Sequence, residues 1–183
     1  DASTLPGMHY VENRLRVLET LGVPARGATP SIYLDPRARI SAAKLAVCLR
    51  GAPYWVMHGN AADAYKIWPG ERVRELLIAA RRAHPRHAIV LTGSSGEKGA
   101  LTEIARDLEG VHIVAGEFDI AGTAAVLAGA DCVIAPDTGV LHLAAALDRP
   151  VVGLYAPTFS TLVGPRALSA MPIVIQRPRT CNP

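Results

Sequence analysis

The turn Asp137-Thr138-Gly139 combines residue types that could bind a phosphorylated ligand. An apolar run gives way there to a helical pattern, so backbone N–H groups and the positive end of the helix dipole can meet an anion such as a diphosphate. Gly139 would let the ligand approach the backbone closely. Asp137 can only accept hydrogen bonds, so it would either cap the helix or bind sugar hydroxyls, and capping is the commoner role of such an aspartate.

His142 and Lys66 are two polar side chains that could assist at this site. His142 follows Gly139 by three residues in an otherwise apolar stretch. Its ring needs a partner there, either a ligand oxygen in a cleft, which the neighbouring turn favours, or a backbone carbonyl in the core. Lys66 precedes a helix predicted to start at Pro69. It would neutralise phosphate or be a solvated surface lysine. No pattern that holds Mg²⁺ or Zn²⁺ is readable, so lysine charge would replace a metal.

Two further loops follow apolar runs. Gly93-Ser94-Ser95-Gly96 is similar to loops that approach phosphates, and Glu97 after it could bond a ribose or adenine donor or stabilise its helix N-terminus. Phe118 could offer a flat face to a base, although core packing is the commoner role, and Asp119 is predicted to cap a helix. The Walker A, GxGxxG and GxSxG motifs are absent, and Cys132 is predicted to be buried in mid-strand, so hydrolase and thiol chemistry lack support.

The elements that must position these residues alternate between strand and helix. We predict an amphipathic helix at Met8–Leu21 that stops at Gly22, a linker at Pro24–Pro30 and a short β-like run at Ser31–Leu34. Further helices are predicted at Pro36–Leu49, Pro69–Ala83, Glu97–Leu108, Ile120–Ala128 and Val140–Leu147, and strands at Tyr54–His58, Ala88–Thr92, Val111–Val114, Cys132–Ala135, Val151–Tyr155 and Ile173–Ile175. Apolar strands without alternation are covered on both faces, so the pattern predicts an α/β fold with a doubly wound, mostly parallel, Rossmann-like sheet. Ligands bind beyond the carboxyl ends of such strands.

Composition restricts the class of protein. The 183 residues, half of them hydrophobic, suit one domain with a sizeable core, and a net charge of +3 without basic runs does not call for nucleic acid. Apolar stretches are interrupted by charge, so no transmembrane segment is expected. Three scattered cysteines favour neither disulfides nor zinc and fit a cytoplasmic location. No signal peptide is readable in Asp1–Met8, and both termini suggest a fragment.

The segment from Asp137 to Thr158, with its Asp-Thr-Gly-Val-Leu-His-Leu start, closely resembles the signature of glycosyltransferase family 9, the lipopolysaccharide heptosyltransferases. Lys66-Ile67-Trp68-Pro69, Leu91-Thr92-Gly93 with Glu97, and Gly164-Pro165 occur in the family's order. The resemblance covers roughly residues 31–183 and implies the C-terminal, donor-binding half of a two-domain GT-B enzyme. Residues 1–30 would then be the end of the N-terminal domain or an interdomain linker with one helix.

By this resemblance the donor is a nucleotide-sugar, typically ADP-heptose, and no other cofactor is implied. Lys66 would neutralise its diphosphate, and Glu97 would meet the ribose. Thr138 and Gly139 would present backbone groups to phosphate.

Asp137 and His142 would contact the donor's sugar or phosphate. The implied reaction is inverting and metal-independent, and the acceptor is a lipopolysaccharide core. Its activating carboxylate belongs to the N-terminal domain, so no catalytic base is assigned here and the fragment is expected to be inactive alone. A cytoplasmic location is implied, with peripheral association at the inner membrane left open.

Residues 59–65 lack the Ser/Thr-rich loop that commonly precedes the family's lysine. Two alternatives therefore stay open: a non-catalytic nucleotide-sugar-binding module, and another GT-B protein such as a nucleotide-sugar epimerase.

Overall fold

The computed structural model describes residues 7–24, 27–156 and 158–176. Within these ranges the helices are α1 (Tyr10–Thr20), α2 (Arg39–Cys48), α3 (Gly70–Ala83), α4 (Lys98–Ile104), α5 (Ile120–Ala128), α6 (Gly139–Ala146) and α7 (Ser160–Val163). The strands are β1 (Tyr54–Met57), β2 (Ala88–Leu91), β3 (Val111–Ile113), β4 (Cys132–Pro136), β5 (Val151–Tyr155) and β6 (Ile173–Gln176). Short 3₁₀ turns cover Pro36–Ala38, Ala64–Lys66 and Ser95–Glu97.

The six strands form one parallel sheet in the order β3-β2-β1-β4-β5-β6. The chain builds outward from β1 to β3 and then returns to the other side of β1 for β4. The strand order therefore reverses between β1 and β4, and a crevice opens beyond the carboxyl ends of strands at such a switch point. The predicted doubly wound, Rossmann-like α/β fold is confirmed.

Alternate strand residues face two separate cores. Tyr54 and Val56 of β1 pack with residues of α2, α5 and α6 on one side. Met57, with the partly buried Trp55, packs with residues of α3 and α4 on the other. Because side chains alternate along a strand, a sheet covered by helices on both faces needs apolar residues at every central-strand position. This is why the strands read as unbroken apolar runs.

Several predicted elements differ from the structure. Residues 31–34 are not a strand, and Ile32 and Tyr33 are 41% and 86% exposed. An apolar run becomes a strand only when it pairs with another strand, and these residues pair with none of the six. Strand β6 is not covered on both faces, since Ile173 and Ile175 are exposed.

Helix α4 ends at Ile104 rather than at residue 108. Arg74 donates hydrogen bonds to the carbonyl oxygens of Ile104 and Arg106, at 2.7 and 2.8 Å, and Asp107 adopts a left-handed φ of 61°. A cation that binds the last carbonyls stabilises the helix end, and the left-handed residue turns the chain away.

The predicted helix start at Pro36 is instead a 3₁₀ turn, and α2 begins only at Arg39. The other predicted ends are confirmed within about two residues. Helix α1 stops at Gly22, whose φ of 76° closes the helix. Cys132 lies at the start of β4 and is only half-buried, not enclosed in mid-strand. The predictions for residues 1–6, for 25 and 26 within the linker, and for the tail 177–183 with Cys181 lie outside the described residues.

Candidate functional site

The loops after β1, β2, β3 and β4 surround a cavity of about 620 Å³ beside the switch point. We call it the central cavity. Three of these loops and α5 supply its polar lining, which consists of His58, Asn60, Thr92, Ser94, Glu97, Thr123 and Thr138. Its apolar lining includes Val114, Phe118, Ile120, Val126, Val140 and Leu143. The cavity thus has one apolar side and one side of hydrogen-bonding groups, as small-molecule sites usually do.

Thr138 lines this cavity, and its hydroxyl oxygen is buried. It is the N-cap of α6, with extended backbone, but its side chain makes no capping hydrogen bond. Its Oγ1 is buried and, among the described residues, has no hydrogen-bond partner. A buried polar atom without a partner costs about 1–3 kcal/mol, so this hydroxyl is a candidate to bind a ligand at the start of α6. The space around the Cα of Gly139 is open, which leaves room for close approach.

Glu97 has a structural role and also faces the central cavity. With Ser94 it forms a capping box, in which its carboxylate accepts the Ser94 N–H at 2.6 Å. Burial alone would raise the pKa of Glu97, but hydrogen bonds from Ser94 and Asn60 hold it below its usual range. The carboxylate is therefore ionised and fixed at the edge of the cavity.

His58 and Thr92 also line the central cavity, and neither was predicted as a site residue. Nδ1 of His58 lies 3.1 Å from Oγ1 of Thr92. Burial lowers the pKa of His58, so the ring is neutral near pH 7. Their position directly after β1 and β2 is the signal that could have identified them.

Phe118 and Asp119 lie in the loop after β3. Phe118 packs against the core on the α5 side and also lines the central cavity, so both predicted roles are compatible with its position. Asp119 caps α5 by accepting the Gly122 N–H at 2.7 Å, as predicted.

Asp137 does not cap α6, and the expectation of a capping role is wrong. Its Oδ2 accepts hydrogen bonds from Lys66 Nζ at 3.0 Å and Thr158 Oγ1 at 2.9 Å, and its Oδ1 lies 3.3 Å from His142 Nε2. The capping position falls one residue later, at Thr138, so the carboxylate is free to turn away from the helix.

These contacts settle how the three predicted side chains are placed. Lys66 is 17% exposed and paired, so it is not a solvated surface lysine. His142 is 43% exposed, so it is not a core histidine. Burial alone would raise the pKa of Asp137, but the hydrogen bonds from His142, Lys66 and Thr158 hold it well below its usual range, and the bond to Asp137 raises the pKa of Lys66.

The Lys66, Asp137 and His142 side chains line a second cavity of about 440 Å³, which we call the flanking cavity. Its remaining walls come from the start of α1, with His9, Tyr10 and Val11, and from the end of α7, with Val163, Gly164 and Arg166; Pro30 and Thr158 complete it. Among the described residues none lines both cavities. The predicted site residues are therefore divided between two adjacent compartments that meet at residues 137 and 138.

The described residues contain neither a group of metal ligands nor a helix that could span a membrane. In the ranges 7–24, 27–156 and 158–176, no group of three or more His, Cys, Asp or Glu side chains is arranged to hold a metal ion. Within the same part of the chain, no helix has both the length and the apolar character needed to cross a bilayer. The Trp68 side chain packs against the core on the α3 side.

Comparison with known proteins gives one family. Residues 3–182 match the model of glycosyltransferase family 9 (heptosyltransferase). Lipopolysaccharide heptosyltransferase 1 of Pseudomonas aeruginosa is 39% identical over 154 residues, which cover 83% of this chain and 41% of that protein. The corresponding protein of Escherichia coli K12 is 35% identical over 108 residues, 59% of this chain and 33% of that protein. This chain thus spans less than half the length of these curated relatives.

Solved structures agree in fold. A family 9 glycosyl transferase from Veillonella parvula superposes with a TM-score of 0.82 at 22% identity, over 97% of this chain and 50% of that chain. E. coli heptosyltransferase WaaC with ADP superposes with a TM-score of 0.72 at 27% identity, over 95% of this chain and 52% of that chain. The six-stranded sheet therefore matches one half of a two-domain GT-B protein.

Proposed function

This chain belongs to glycosyltransferase family 9, and on that premise we propose that it is the donor-binding part of a lipopolysaccharide heptosyltransferase, with ADP-heptose as the donor. The observation that carries the proposal is the buried, unpartnered Thr138 hydroxyl at the start of α6, beside the open backbone of Gly139. Such a site suits an anion. The similarity to a heptosyltransferase structure that contains ADP supports a nucleoside diphosphate as that anion.

The central cavity would hold the nucleotide. Phe118 is placed to contact the base and Glu97 to accept hydrogen bonds from the ribose hydroxyls, since an ionised carboxylate is acceptor-only. The diphosphate would lie at Thr138 and Gly139, where the backbone N–H groups of α6 begin. Lys66 would then supply positive charge from the adjacent compartment.

The flanking cavity would hold the transferred sugar. Asp137 and His142 are the polar groups that line it next to the diphosphate position. An ionised Asp137 can accept hydrogen bonds from sugar hydroxyls while it keeps Lys66 in place. One carboxylate would in this way fix both the cation and the glycosyl group.

We infer an inverting, metal-independent transfer. An acceptor hydroxyl attacks the anomeric carbon, the bond from that carbon to the diphosphate breaks, and ADP leaves. Lys66 and the N–H groups at the start of α6 would stabilise the charge that develops on the leaving diphosphate. The base that takes the acceptor proton would belong to a domain outside this chain, so the 183 residues alone would be inactive.

The acceptor would be a lipopolysaccharide core, bound mainly by that other domain, at the cytoplasmic side of the inner membrane. Residues 1–30 would form the end of the N-terminal domain or the connection to it, and residues 31–183 the donor-binding domain. Both statements follow from the family rather than from contacts in this chain.

One observation favours a second candidate, a nucleotide-sugar-binding module without transferase activity. Residues 59–65 hold no Ser or Thr hydroxyl before Lys66, so fewer side-chain donors are available for a diphosphate. Binding of donor without transfer by the full-length protein would support this alternative.

Calorimetric titration with ADP, UDP and GDP, without added metal, tests the proposal. We expect selective ADP binding that Thr138→Val weakens, while the exposed Thr102→Val on α4 leaves it unchanged. Because valine matches threonine in shape and removes only an unpartnered hydroxyl, Thr138→Val should not lower stability. The absence of ADP binding, or equal binding of all three nucleotides, would contradict the donor assignment. Sugar transfer by this chain alone would contradict the missing base.

A further inference from the structure

We propose that His9 is a positioning residue of the flanking cavity, and that it acts by anchoring the first turn of α1 to the end of α7. The anchored turn forms the wall against which the donor's sugar would lie. This inference rests on the proposed function, because it assigns a role in recognising the glycosyl group.

His9 is buried although the helix that it caps is not. The side chain is 7% exposed, whereas no residue within α1 is buried. Burying an imidazole at the N-terminus of an exposed helix costs free energy unless both ring nitrogens form hydrogen bonds. The position therefore calls for partners on the rest of the protein.

Both ring nitrogens of His9 have such partners. Nδ1 accepts the N–H of Val11 at 3.2 Å and so caps α1. Since Nδ1 is the acceptor, the proton lies on Nε2, which donates to the carbonyl oxygen of Gly164 at 3.0 Å across 155 positions of sequence. Only the neutral ring can make both bonds, and burial lowers the pKa of His9.

The acceptor of this bond is itself held rigidly. The N–H of Gly164 donates to the Ser160 oxygen at 2.7 Å, and a Cβ at residue 164 would clash with that oxygen. The backbone is thus packed too tightly at this position for any residue that carries a Cβ. Glu12 and Arg166 also pair at 2.9 Å, but both side chains are about half exposed, and exposed pairs contribute little. The buried His9 bond is the stronger link between α1 and α7.

Both anchored elements contribute residues to the wall of the flanking cavity. His9, Tyr10 and Val11 line the flanking cavity from α1, and Val163, Gly164 and Arg166 line it from α7. Lys66, Asp137 and His142 line the same cavity. No described residue of α1 lines the central cavity. Loosening α1 should therefore weaken binding of the donor's sugar and leave binding of the nucleotide unaffected.

Two substitutions separate the two bonds of His9. In His9→Asn, the side-chain oxygen takes the place of Nδ1 and keeps the cap, since Asn is a preferred N-cap, but the side chain is too short for Gly164. In His9→Gln, the amide nitrogen takes the place of Nε2 and keeps the anchor, while the cap is lost. Glu12→Gln is the matched control, because it removes the exposed ion pair and leaves His9 unchanged.

The experiment measures Kd for ADP and for ADP-heptose by calorimetry with the 183-residue chain and each variant. We expect wild type, His9→Gln and Glu12→Gln to bind ADP-heptose more tightly than ADP. We expect the preference of His9→Asn for ADP-heptose to fall about fivefold, because binding the sugar must then order a wall that one neutral hydrogen bond no longer holds in place, with ADP affinity unchanged. Urea unfolding confirms that each variant is folded.

Several results would overturn the inference: a preference retained in His9→Asn, a preference lost equally in His9→Gln, or a parallel loss of ADP affinity. A wild-type chain that binds ADP without preferring ADP-heptose would also overturn it while leaving nucleotide binding intact. A wild-type chain that binds no ADP would instead refute the proposed function on which the inference depends.

Discussion

Replacing Asp137 with asparagine removes one charge and almost no volume, so it isolates the electrostatic contribution of the group at the boundary of the two cavities. The carboxylate faces Lys66, Thr158 and His142, and its side chain is only 10% exposed. An asparagine keeps one oxygen acceptor but turns a donor toward at least one of these partners. We expect Asp137→Asn to destabilise the fold.

The expected magnitude follows from these contacts. A hydrogen bond to a charged group contributes about 1.5–3 kcal/mol and a neutral one about 0.5–1.5 kcal/mol, so losing the charge costs roughly 1 kcal/mol for each of the three bonds. Breaking a fully buried ion pair costs about 3–5 kcal/mol. That limit is not reached here, because His142 is 43% exposed and Lys66 can turn to Asp63, 3.6 Å away. We expect a loss of about 2–3 kcal/mol at pH 7, because the bond to the partly exposed His142 contributes less than the other two.

The pH dependence has a definite sign. The pKa of Asp137 in the fold lies below its usual 3.8, so the native carboxylate stays ionised at a pH where the unfolded chain binds a proton. The advantage of wild type over Asp137→Asn is therefore complete above about pH 5 and decreases as the pH falls below 3.8. The pKa of Lys66 is raised above 10.5 by the same contact, so its contribution is lost only in strong alkali.

Urea unfolding at pH 7, 5 and 3.5 measures this difference. Asp119→Asn is the matched control: it is the same substitution in another loop after a strand, where the side chain only caps α5 and asparagine caps equally well. We expect the control to change the free energy of unfolding by less than about 0.5 kcal/mol. Equal effects of the two substitutions, or a difference that does not shrink at pH 3.5, would refute the electrostatic reasoning.

Three further predictions concern binding and packing. Lys66→Met should weaken ADP binding about tenfold in calorimetry, because one charge-assisted contact of about 1.4 kcal/mol is lost, and unchanged affinity would remove the lysine from the diphosphate site. Gly116→Ala should lower the urea midpoint strongly, since φ is 72° and the added Cβ would lie 2.7 Å from the Ser95 Cα, whereas Gly99→Ala in the open face of α4 should raise stability by up to about 1 kcal/mol. Leu141→Ala, at a fully buried position, should cost about 2–5 kcal/mol in the same assay, and a smaller loss would mean that the core collapses around the gap.

The sequence predicted the elements whose signals are local. Ile120–Ala128 and Val151–Tyr155 have the predicted bounds, because a capping aspartate begins the first and the second is a short run of apolar residues between turns. The position of the Asp-Thr-Gly turn after a central strand was readable for the same reason. Since parallel strands bring their carboxyl ends to one edge, the meeting of the post-strand loops also followed from the order of the elements.

The length of α4 and the fate of residues 31–34 depended on distant parts of the chain. Arg74 lies 30 positions before the Ile104 oxygen to which it donates, so no local pattern marks that helix end. An apolar run such as Ile32 with its neighbours becomes a strand only when it pairs with another strand, and residues 31–34 pair with none of the six.

The role of each site residue was likewise decided by tertiary contacts. Asp137 meets Lys66 across 71 positions and Thr158 across 21, and these partners draw the carboxylate away from the helix start that it would otherwise cap. The sequence by itself determined which residues carry charge and which loops hold them. Only the folded chain decided that these residues divide between two cavities and that His9 lines one of them. The reason is that hydrogen bonds form between groups that are close in space, whatever their separation along the chain.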